Sequence, residues 1–314
     1  MTCAVRVARH RLDDRTRDLL GKEIAERVAA SELDSDKDQA VLASIGGYVL
    51  NHFLPGEILQ GLKLFCATGA HALVLSNLPT QEYPASPVTG FAQETDLALT
   101  NALHFGLIRL LGVTPFAVDY ENNGRLIRNV VPNPLISGVT SSWGADAEFF
   151  WHTDNPHLRF GEPGTDPRLH VPRYLTFFAV RNDEQVPTEI AAVEDAVSRL
   201  DDETQRALQS PSYAVGPPAS NDGGHALSGA SVLEQSVDGH RVRYDRGTVQ
   251  GRSAGAIDVL DTWSAALTGI PAEELTLESG EFLIFDNYRV LHRRRAFAPG
   301  PDAAARWLRR CYAS

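Results

Sequence analysis

Residues 232–244, VLEQSVDGHRVRY, contain an Asp-Gly pair between two β-forming runs. Asp238-Gly239 is a hairpin signal, because both positions of a tight two-residue turn adopt positive φ and these residues tolerate it. The sequence LTLESGEFLIF at 275–285 repeats the pattern around Ser-Gly. Both segments predict antiparallel strands joined by tight turns.

Further β-like runs lie on either side of these segments and are separated by turn residues. They occupy residues 71–79, 114–120, 125–131, 147–154, 173–180 and 306–312. Helical inserts are predicted at 190–200 and 256–269. Many short strands with few helices among them predict a closed all-β core.

The N-terminal part has a different, helical pattern. Asp13 and Asp14 precede apolar residues at i, i+3 and i+4 spacing, Pro55 opens a second such stripe, and a third runs over 93–111. We expect one domain over 1–314, with a helical flank at 1–70 and a β core with helical inserts at 70–314. The loop at 217–224 is too short to divide it.

Composition excludes several classes of protein. The 314 residues carry 29 Lys+Arg against 40 Asp+Glu, a net charge of −11, which disfavours binding to nucleic acid or to an anionic membrane. No apolar run approaches the roughly 18 residues of a membrane span. The first residues lack a secretory leader, and the three cysteines form no CxxC. We expect a reduced, cytoplasmic protein.

Common catalytic motifs are missing from the sequence. It contains no GxGxxG, no GxxxxGK[ST] and no HExxH. Residues 251–255 spell GxSxG around Ser253, the pattern of a serine hydrolase. A nucleophile elbow needs a buried strand directly before the turn, whereas residues 245–250 are polar. A loop is therefore the simpler interpretation of this motif.

The motif WHTD at 151–154 ends an apolar run. Residues i and i+2 of a strand face the same side, so His152 and Asp154 direct an imidazole and a carboxylate at one point. A surface His–Asp pair would give the same spacing. With His157 or His292 as a further ligand, the same residues would suit a zinc-dependent hydrolase.

A second histidine stands in GEFLIFDNYRVLH at 280–292, 140 residues beyond the first. His292 alone would suit a buried core histidine. Together with His152 and Asp154 it would complete a 2-His-1-carboxylate set, which leaves coordination positions open and favours Fe(II). Arg306 follows 14 residues later and offers a two-pronged donor for a carboxylate. Arg310 faces the same side of that last strand.

These motifs resemble the Fe(II)/2-oxoglutarate-dependent oxygenases of the clavaminate synthase-like branch, which includes amino-acid hydroxylases of peptide-antibiotic biosynthesis. The resemblance covers residues 70–314. It is carried by residues 72–79, 124–132, 151–154, 186–191, 280–292 and 305–312. It implies a mainly β fold with flanking helices and a double-stranded β-helix (jelly-roll) core. It also implies Fe(II), with 2-oxoglutarate and O2 as cosubstrates.

The resemblance assigns the cofactor residues by position. His152, Asp154 and His292 match the catalytic iron ligands. Arg306 and Thr188 match the residues that hold the far carboxylate of 2-oxoglutarate.

It also assigns substrate contacts. Arg310 matches an arginine near the substrate carboxylate, Glu121 and Asn123 lie where relatives bind the α-amine, and Asp245 lies where arginine hydroxylases bind a cationic side chain. Relatives acting on arginine and clavaminate precursors usually have Glu in place of Asp154. This departure leaves the substrate open.

The expected function is hydroxylation of an unactivated C–H bond of a free amino acid such as arginine, citrulline, lysine or ornithine. Desaturation and a carrier-bound substrate are alternatives within the same chemistry. A hydrolase and a non-catalytic small-molecule-binding β-barrel are alternatives of other classes. The expected partner is a small amino acid, with no nucleic acid and no membrane. The sequence sets no oligomeric state.

Overall fold

The structure, a computed structural model, describes residues 5–133, 148–162, 164–218 and 224–314. Its helices are α1 (Asp14–Ala29), α2 (Gln39–Phe53), α3 (Gly56–Thr68), α4 (Ala98–Leu110), α5 (Val193–Val197), α6 (Asp202–Leu208) and α7 (Ala254–Leu267). Its strands are β1 (Val7–Arg11), β2 (Ala72–Ser76), β3 (Pro115–Phe116), β4 (Ile127–Val130), β5 (Phe149–His152), β6 (Tyr174–Arg181), β7 (Thr188–Ala192), β8 (Tyr213–Val215), β9 (Leu227–Ala230), β10 (Leu233–Ser236), β11 (Gly239–Val242), β12 (Val249–Gly251), β13 (Glu273–Leu275), β14 (Phe282–Asp286), β15 (Val290–Arg294) and β16 (Trp307–Ala313). The fold therefore mixes helices with strands.

Two sheets form the centre of the molecule. The larger has the order β1-β2-β14-β6-β16-β3, and β4 also pairs with β16. The smaller has the order β13-β7-β15-β5, with antiparallel pairing throughout. In the larger sheet β1 and β2 run parallel, and the other pairs are antiparallel.

Apolar side chains of both sheets pack into one cluster. Phe177 and Phe285 come from the larger sheet, and Ile190 and Val290 come from the smaller. Burying each such side chain contributes roughly 1.5–3 kcal/mol. This packing fixes the distance between the sheets, and β5 and β15 of the smaller sheet carry the residues discussed below.

The N-terminal helices cover the opposite face of the larger sheet. Ile24 of α1 and Leu62 of α3 share a cluster with Phe178 and Ile284 of that sheet. Helices α2 and α4 approach so closely that a Cβ on Gly46 would lie 1.8 Å from a carbonyl oxygen of α4. Within the described ranges, no helix has both the length and the apolar character needed to cross a membrane.

The predicted N-terminal helices are confirmed. Asp13 caps α1 by accepting a hydrogen bond from the Thr16 N–H at 2.9 Å. Pro55 lies one residue before α3, and the segment 93–111 consists of a short 3₁₀ turn followed by α4. Helices α2 and α6 and strand β1 were not predicted. The predicted helix over 190–200 was wrong in its first part, since β7 continues to Ala192 before α5 begins.

The hairpin predicted at 232–244 is confirmed, with a shifted turn. Ser236 pairs with Gly239, so Val237 and Asp238 form the turn, and Gly239 has φ 107°. The second hairpin, at 275–285, was wrong. Strand β13 pairs with β7 in the smaller sheet, whereas β14 pairs with β2 and β6 in the larger one. The chain crosses between the sheets there, through Gly280 at φ 79°.

Several other predicted strands are shorter than expected. The run 114–120 contains only β3, and the run 125–131 contains β4. The run 147–154 contains β5, and its first residue lies outside the described residues, as does most of the loop at 217–224.

Candidate active site

Two histidines meet across neighbouring strands. His152 of β5 pairs directly with His292 of β15, and their ring centroids are 4.0 Å apart. Asp154, two residues after His152, turns its Oδ1 to both rings, 3.5 Å from His152 Nε2 and 3.4 Å from His292 Nε2. One ligand atom from each residue lies within 4.8 Å of the other two. The three side chains are 3%, 8% and 7% exposed for His152, Asp154 and His292.

The hydrogen bonding of His152 leaves one nitrogen ready for a ligand. Its Nδ1 lies 2.7 Å from the Phe150 carbonyl oxygen, so Nδ1 carries the proton and donates it. The opposite nitrogen, Nε2, is buried and has no hydrogen-bond partner among the residues that the structure describes. Buried polar atoms are nearly always satisfied, and a metal ion between the rings and Asp154 would satisfy this one.

His292 is neutral at physiological pH. Burial and the neighbouring His152 lower its pKa to about 4, although Asp154 acts in the opposite direction. A neutral imidazole can coordinate a metal without first releasing a proton. Within the described ranges no other group of three His, Cys, Asp or Glu residues meets this ligand geometry.

Asp154 is held in its charged form. Burial alone would raise its pKa, but Arg310 and contacts with the two histidines keep the pKa well below the usual value. Arg310 Nη1 lies 2.7 Å from Oδ2, the oxygen that faces away from the histidines. One oxygen of Asp154 therefore faces the candidate metal position while the other is neutralised by a guanidinium. Two imidazoles and one carboxylate in this arrangement are the ligand set typical of non-haem iron sites with open positions.

Arg310 also contacts Glu121, a buried carboxylate. Glu121 further accepts hydrogen bonds from the Tyr312 hydroxyl at 3.0 and 3.1 Å, from Arg128 at 3.3 Å and from Asn155 at 3.2 Å. Glu121 and Arg310 were predicted site residues, whereas Tyr312, Arg128 and Asn155 were not. Tyr312 could have been predicted, since the strand period places it on the same face as Arg310.

A cavity of about 460 Å³ opens beside the three candidate ligands. Arg306 and Thr188 line its other side, and the Arg306 Nη2 lies 3.4 Å from the Thr188 hydroxyl. Burial and the nearby Arg294 lower the pKa of Arg306 to about 9. Among the described residues no carboxylate lies within 4 Å of the Arg306 guanidinium, so this buried cation suits an anionic ligand.

Of the predicted substrate contacts Arg310 lines this cavity, whereas Glu121, which Arg310 contacts, Asn123 and Asp245 do not. Asn123 is exposed, in a turn, with φ 55°. Asp245 is half-buried and accepts a hydrogen bond from the Gly247 N–H at 2.7 Å, while its backbone bridges to His152. Their substrate roles stay predictions.

Two residues considered for hydrolase chemistry have other contacts. His157 pairs with the Tyr120 hydroxyl at 2.9 Å and is not part of the three-ligand group. Ser253 caps α7, accepting a hydrogen bond from the Ala256 N–H at 3.2 Å.

Comparison with known proteins identifies the class. The family model described as taurine catabolism dioxygenase TauD, TfdA family, matches residues 88–312. The chain is 24% identical over 304 residues to the enduracididine beta-hydroxylase of Streptomyces hygroscopicus, covering 82% of this chain and 81% of that one. It is 25% identical over 306 residues to the L-lysine 3-hydroxylase of Catenulispora acidiphila, covering 93% and 80%.

A solved structure shows the same fold. The crystal structure of asparagine oxygenase in complex with Fe(II), 2S,3S-3-hydroxyasparagine and succinate superposes with a TM-score of 0.80 at 22% identity, covering 97% of this chain and 92% of that one. The chain belongs to the TauD/TfdA family of Fe(II)/2-oxoglutarate-dependent oxygenases. The predicted resemblance to clavaminate synthase-like enzymes is confirmed, as are the cofactors, Fe(II) and 2-oxoglutarate.

Proposed function

We propose that the protein hydroxylates a C–H bond of a free amino acid, with Fe(II) bound by His152, Asp154 and His292. The observation that carries the proposal is the buried three-ligand group beside a cavity lined by a buried arginine. In this group His152 Nε2 has no hydrogen-bond partner within the described ranges. When bound, Fe(II) with 2-oxoglutarate and O2 supplies the oxidation of the C–H bond, with release of succinate and CO2.

Arg306 and Thr188 would hold the far carboxylate of 2-oxoglutarate. Support comes from the guanidinium that has no acidic partner among the described residues and from the hydroxyl 3.4 Å away from it. A guanidinium and a hydroxyl together offer several donors to one carboxylate. The remaining end of 2-oxoglutarate would then extend through the cavity toward the metal position.

The two sheets, in this proposal, are the halves of a double-stranded β-helix. The smaller sheet contributes His152 and His292. The larger sheet contributes Arg310, which lies in β16, and Arg306 directly precedes that strand. An eight-stranded jelly roll of two packed sheets commonly holds its ligands between them. This arrangement would explain why residues 140 apart in the chain reach one ion.

Glu121 and Arg310 would recognise the two charges of an amino acid. The guanidinium of Arg310 suits an α-carboxylate and the carboxylate of Glu121 suits an α-ammonium group. In the structure these two side chains contact each other. An incoming zwitterion would replace that contact with two new ones, so neither buried charge would lose its partner. Relatives named for enduracididine and lysine, and the asparagine oxygenase of the solved structure, support an amino acid as the substrate.

The chain's residues would orient the substrate and exclude competing reactions. Phe149 and Phe177 line the cavity, and their apolar rings would limit access of water to the reacting atoms. Asp154 would be the third protein ligand of the metal. A carboxylate ligand at this position favours hydroxylation or desaturation over halogenation. The substrate side chain remains within the predicted group of arginine, citrulline, lysine, ornithine and similar amino acids, to which asparagine belongs as a polar member.

An oxygen-uptake assay tests the proposal directly. Purified protein with Fe(II) and 2-oxoglutarate is offered the twenty amino acids, ornithine and citrulline, and succinate and oxygenated product are measured by mass spectrometry. We expect one of these amino acids to stimulate succinate formation. His152→Ala and Asp154→Ala should abolish that stimulation, whereas His52→Ala, at an exposed helical position, should leave it unchanged. Full turnover in either ligand variant would refute the assignment.

A further inference from the structure

The side chain of Asn287 is fully buried and joins two distant parts of the chain. Its Oδ1 accepts a hydrogen bond from the Asp154 N–H at 3.0 Å. Its Nδ2 donates to the Asp154 carbonyl at 3.3 Å and to the Pro172 carbonyl at 2.9 Å. One amide thus holds both backbone polar groups of a candidate metal ligand.

The position of Asn287 makes these bonds relevant to the metal. It lies in the turn between β14 and β15, five residues before His292. Its own N–H donates to the Arg173 carbonyl at 2.7 Å, which fixes the turn against the start of β6. The main chain of Asp154 is therefore tied to the turn that leads into the strand carrying His292.

Asp154 depends on such an anchor. It lies beyond the end of β5, so the ladder that holds His152 does not extend to it. An aspartate side chain is short, and a rotation of its backbone moves the carboxylate directly. Its two oxygens have different neighbours, the histidines at Oδ1 and Arg310 at Oδ2, and a changed backbone orientation would disturb both contacts.

We propose that Asn287 is a positioning residue for the metal site, which sets the orientation of Asp154 relative to His152 and His292. This inference rests on the proposed ligand set. Groups that orient metal ligands typically change metal affinity about 10–100-fold when they are removed. A site held in place before the metal arrives avoids the cost of ordering its ligands upon binding.

Asn182 provides a matched control. It is also buried, its Oδ1 accepts from the Val186 N–H at 3.1 Å, and its Nδ2 donates to the carbonyls of Val186 at 3.1 Å and Leu277 at 2.9 Å. The number and type of hydrogen bonds equal those of Asn287, but none of them reaches a candidate ligand. Asn287→Ala and Asn182→Ala should therefore lower the midpoint of thermal unfolding similarly.

The test is a titration of the metal-free full-length protein with Co(II), followed by visible absorption and without 2-oxoglutarate. We expect Asn287→Ala to weaken Co(II) binding about 10–100-fold, and Asn182→Ala to bind as the wild type does. Asn287→Asp keeps the acceptor for the Asp154 N–H but places a carboxylate oxygen against the carbonyls of Asp154 and Pro172. It should also weaken Co(II) binding, and it serves if the alanine variant does not fold.

The outcomes separate the two proposals. Wild-type affinity in Asn287→Ala or Asn287→Asp, or an equal loss in Asn182→Ala, would overturn the positioning role alone. Co(II) binding that is unaffected by His152→Ala would overturn the ligand set and this inference with it.

Discussion

Arg310 and Asp154 form a buried ion pair, in which the guanidinium Nη1 lies 2.7 Å from the carboxylate Oδ2. The second arm of the same guanidinium contacts Glu121. One cation therefore neutralises both a candidate metal ligand and a candidate substrate contact. The arrangement connects the metal position to the amino-acid position through a single side chain.

The first prediction concerns the stability contributed by this pair. Arg310→Met leaves the two buried carboxylates of Asp154 and Glu121 without this cation, and we expect a loss of about 3–5 kcal/mol in the free energy of unfolding at pH 7. Urea denaturation of the metal-free protein measures it.

An exposed pair of the same length serves as the control. Arg168 Nη2 also lies 2.7 Å from Asp166 Oδ2, but both side chains are solvated. Since water screens exposed pairs, Arg168→Met should cause no comparable loss. Equal effects of the two substitutions would show that burial of the Arg310 pair has no energetic consequence.

The second prediction addresses recognition of the α-amine. Glu121→Gln removes the negative charge at nearly constant shape, and the Michaelis constant for the amino acid that the panel identifies should rise about 10–100-fold. Steady-state succinate formation measures this change. Glu32→Gly is the comparison, since it also removes a carboxylate, at an exposed position with positive φ where glycine is not strained. A larger effect at Glu32 than at Glu121 would contradict the proposed amine site.

The third prediction addresses 2-oxoglutarate. Arg306→Lys retains the charge but loses the two-pronged donor, so the Michaelis constant for 2-oxoglutarate should rise at least about tenfold. Thr188→Val, which removes the hydroxyl at similar volume, should raise it as well, and Thr188→Ser should restore it. Identical values for the valine and serine variants would exclude a role of the hydroxyl.

Much of the candidate site was predictable from local rules. The strand period places His152 and Asp154 on one side, and the same period places Arg306, Arg310 and Tyr312 on one face of the last strand. The direct pairing of His152 with His292 was not predictable from that period, because strand register across 140 residues depends on tertiary packing. Arg128 was missed for the same reason: it reaches Glu121 through the pairing of β4 with β16.

The errors in the fold have similar physical origins. Helix α2 contains Gly46 and Gly47, which lower intrinsic helix propensity. Its stability instead comes from close packing against α4, where the Ala102 carbonyl oxygen leaves no room for a side chain on Gly46. The turn at Gly280 has local hairpin chemistry, but its two flanking strands join different sheets. Local sequence does not encode that choice of partner.

The last prediction concerns acid stability. His104 is fully buried with its Nε2 2.8 Å from the Thr176 hydroxyl, and burial, with a further contribution from Arg309, lowers its pKa to about 3. The unfolded chain binds a proton at this residue near pH 6.5 and the folded protein does not. The free energy of unfolding therefore decreases as the pH falls below about 6.5. At pH 5 the decrease caused by this residue is about 2 kcal/mol.

His104→Gln removes this proton uptake while an amide nitrogen takes the place of Nε2. The difference between the unfolding free energies at pH 7 and pH 5 should therefore shrink by about 2 kcal/mol relative to the wild type. The remaining pH dependence should persist, since burial also lowers the pKa of His71, His157 and His292 to about 4. Urea denaturation of the metal-free proteins at both pH values measures the change. An unchanged difference would mean that His104 is protonated in the folded protein, which its enclosed position against Thr176 argues against.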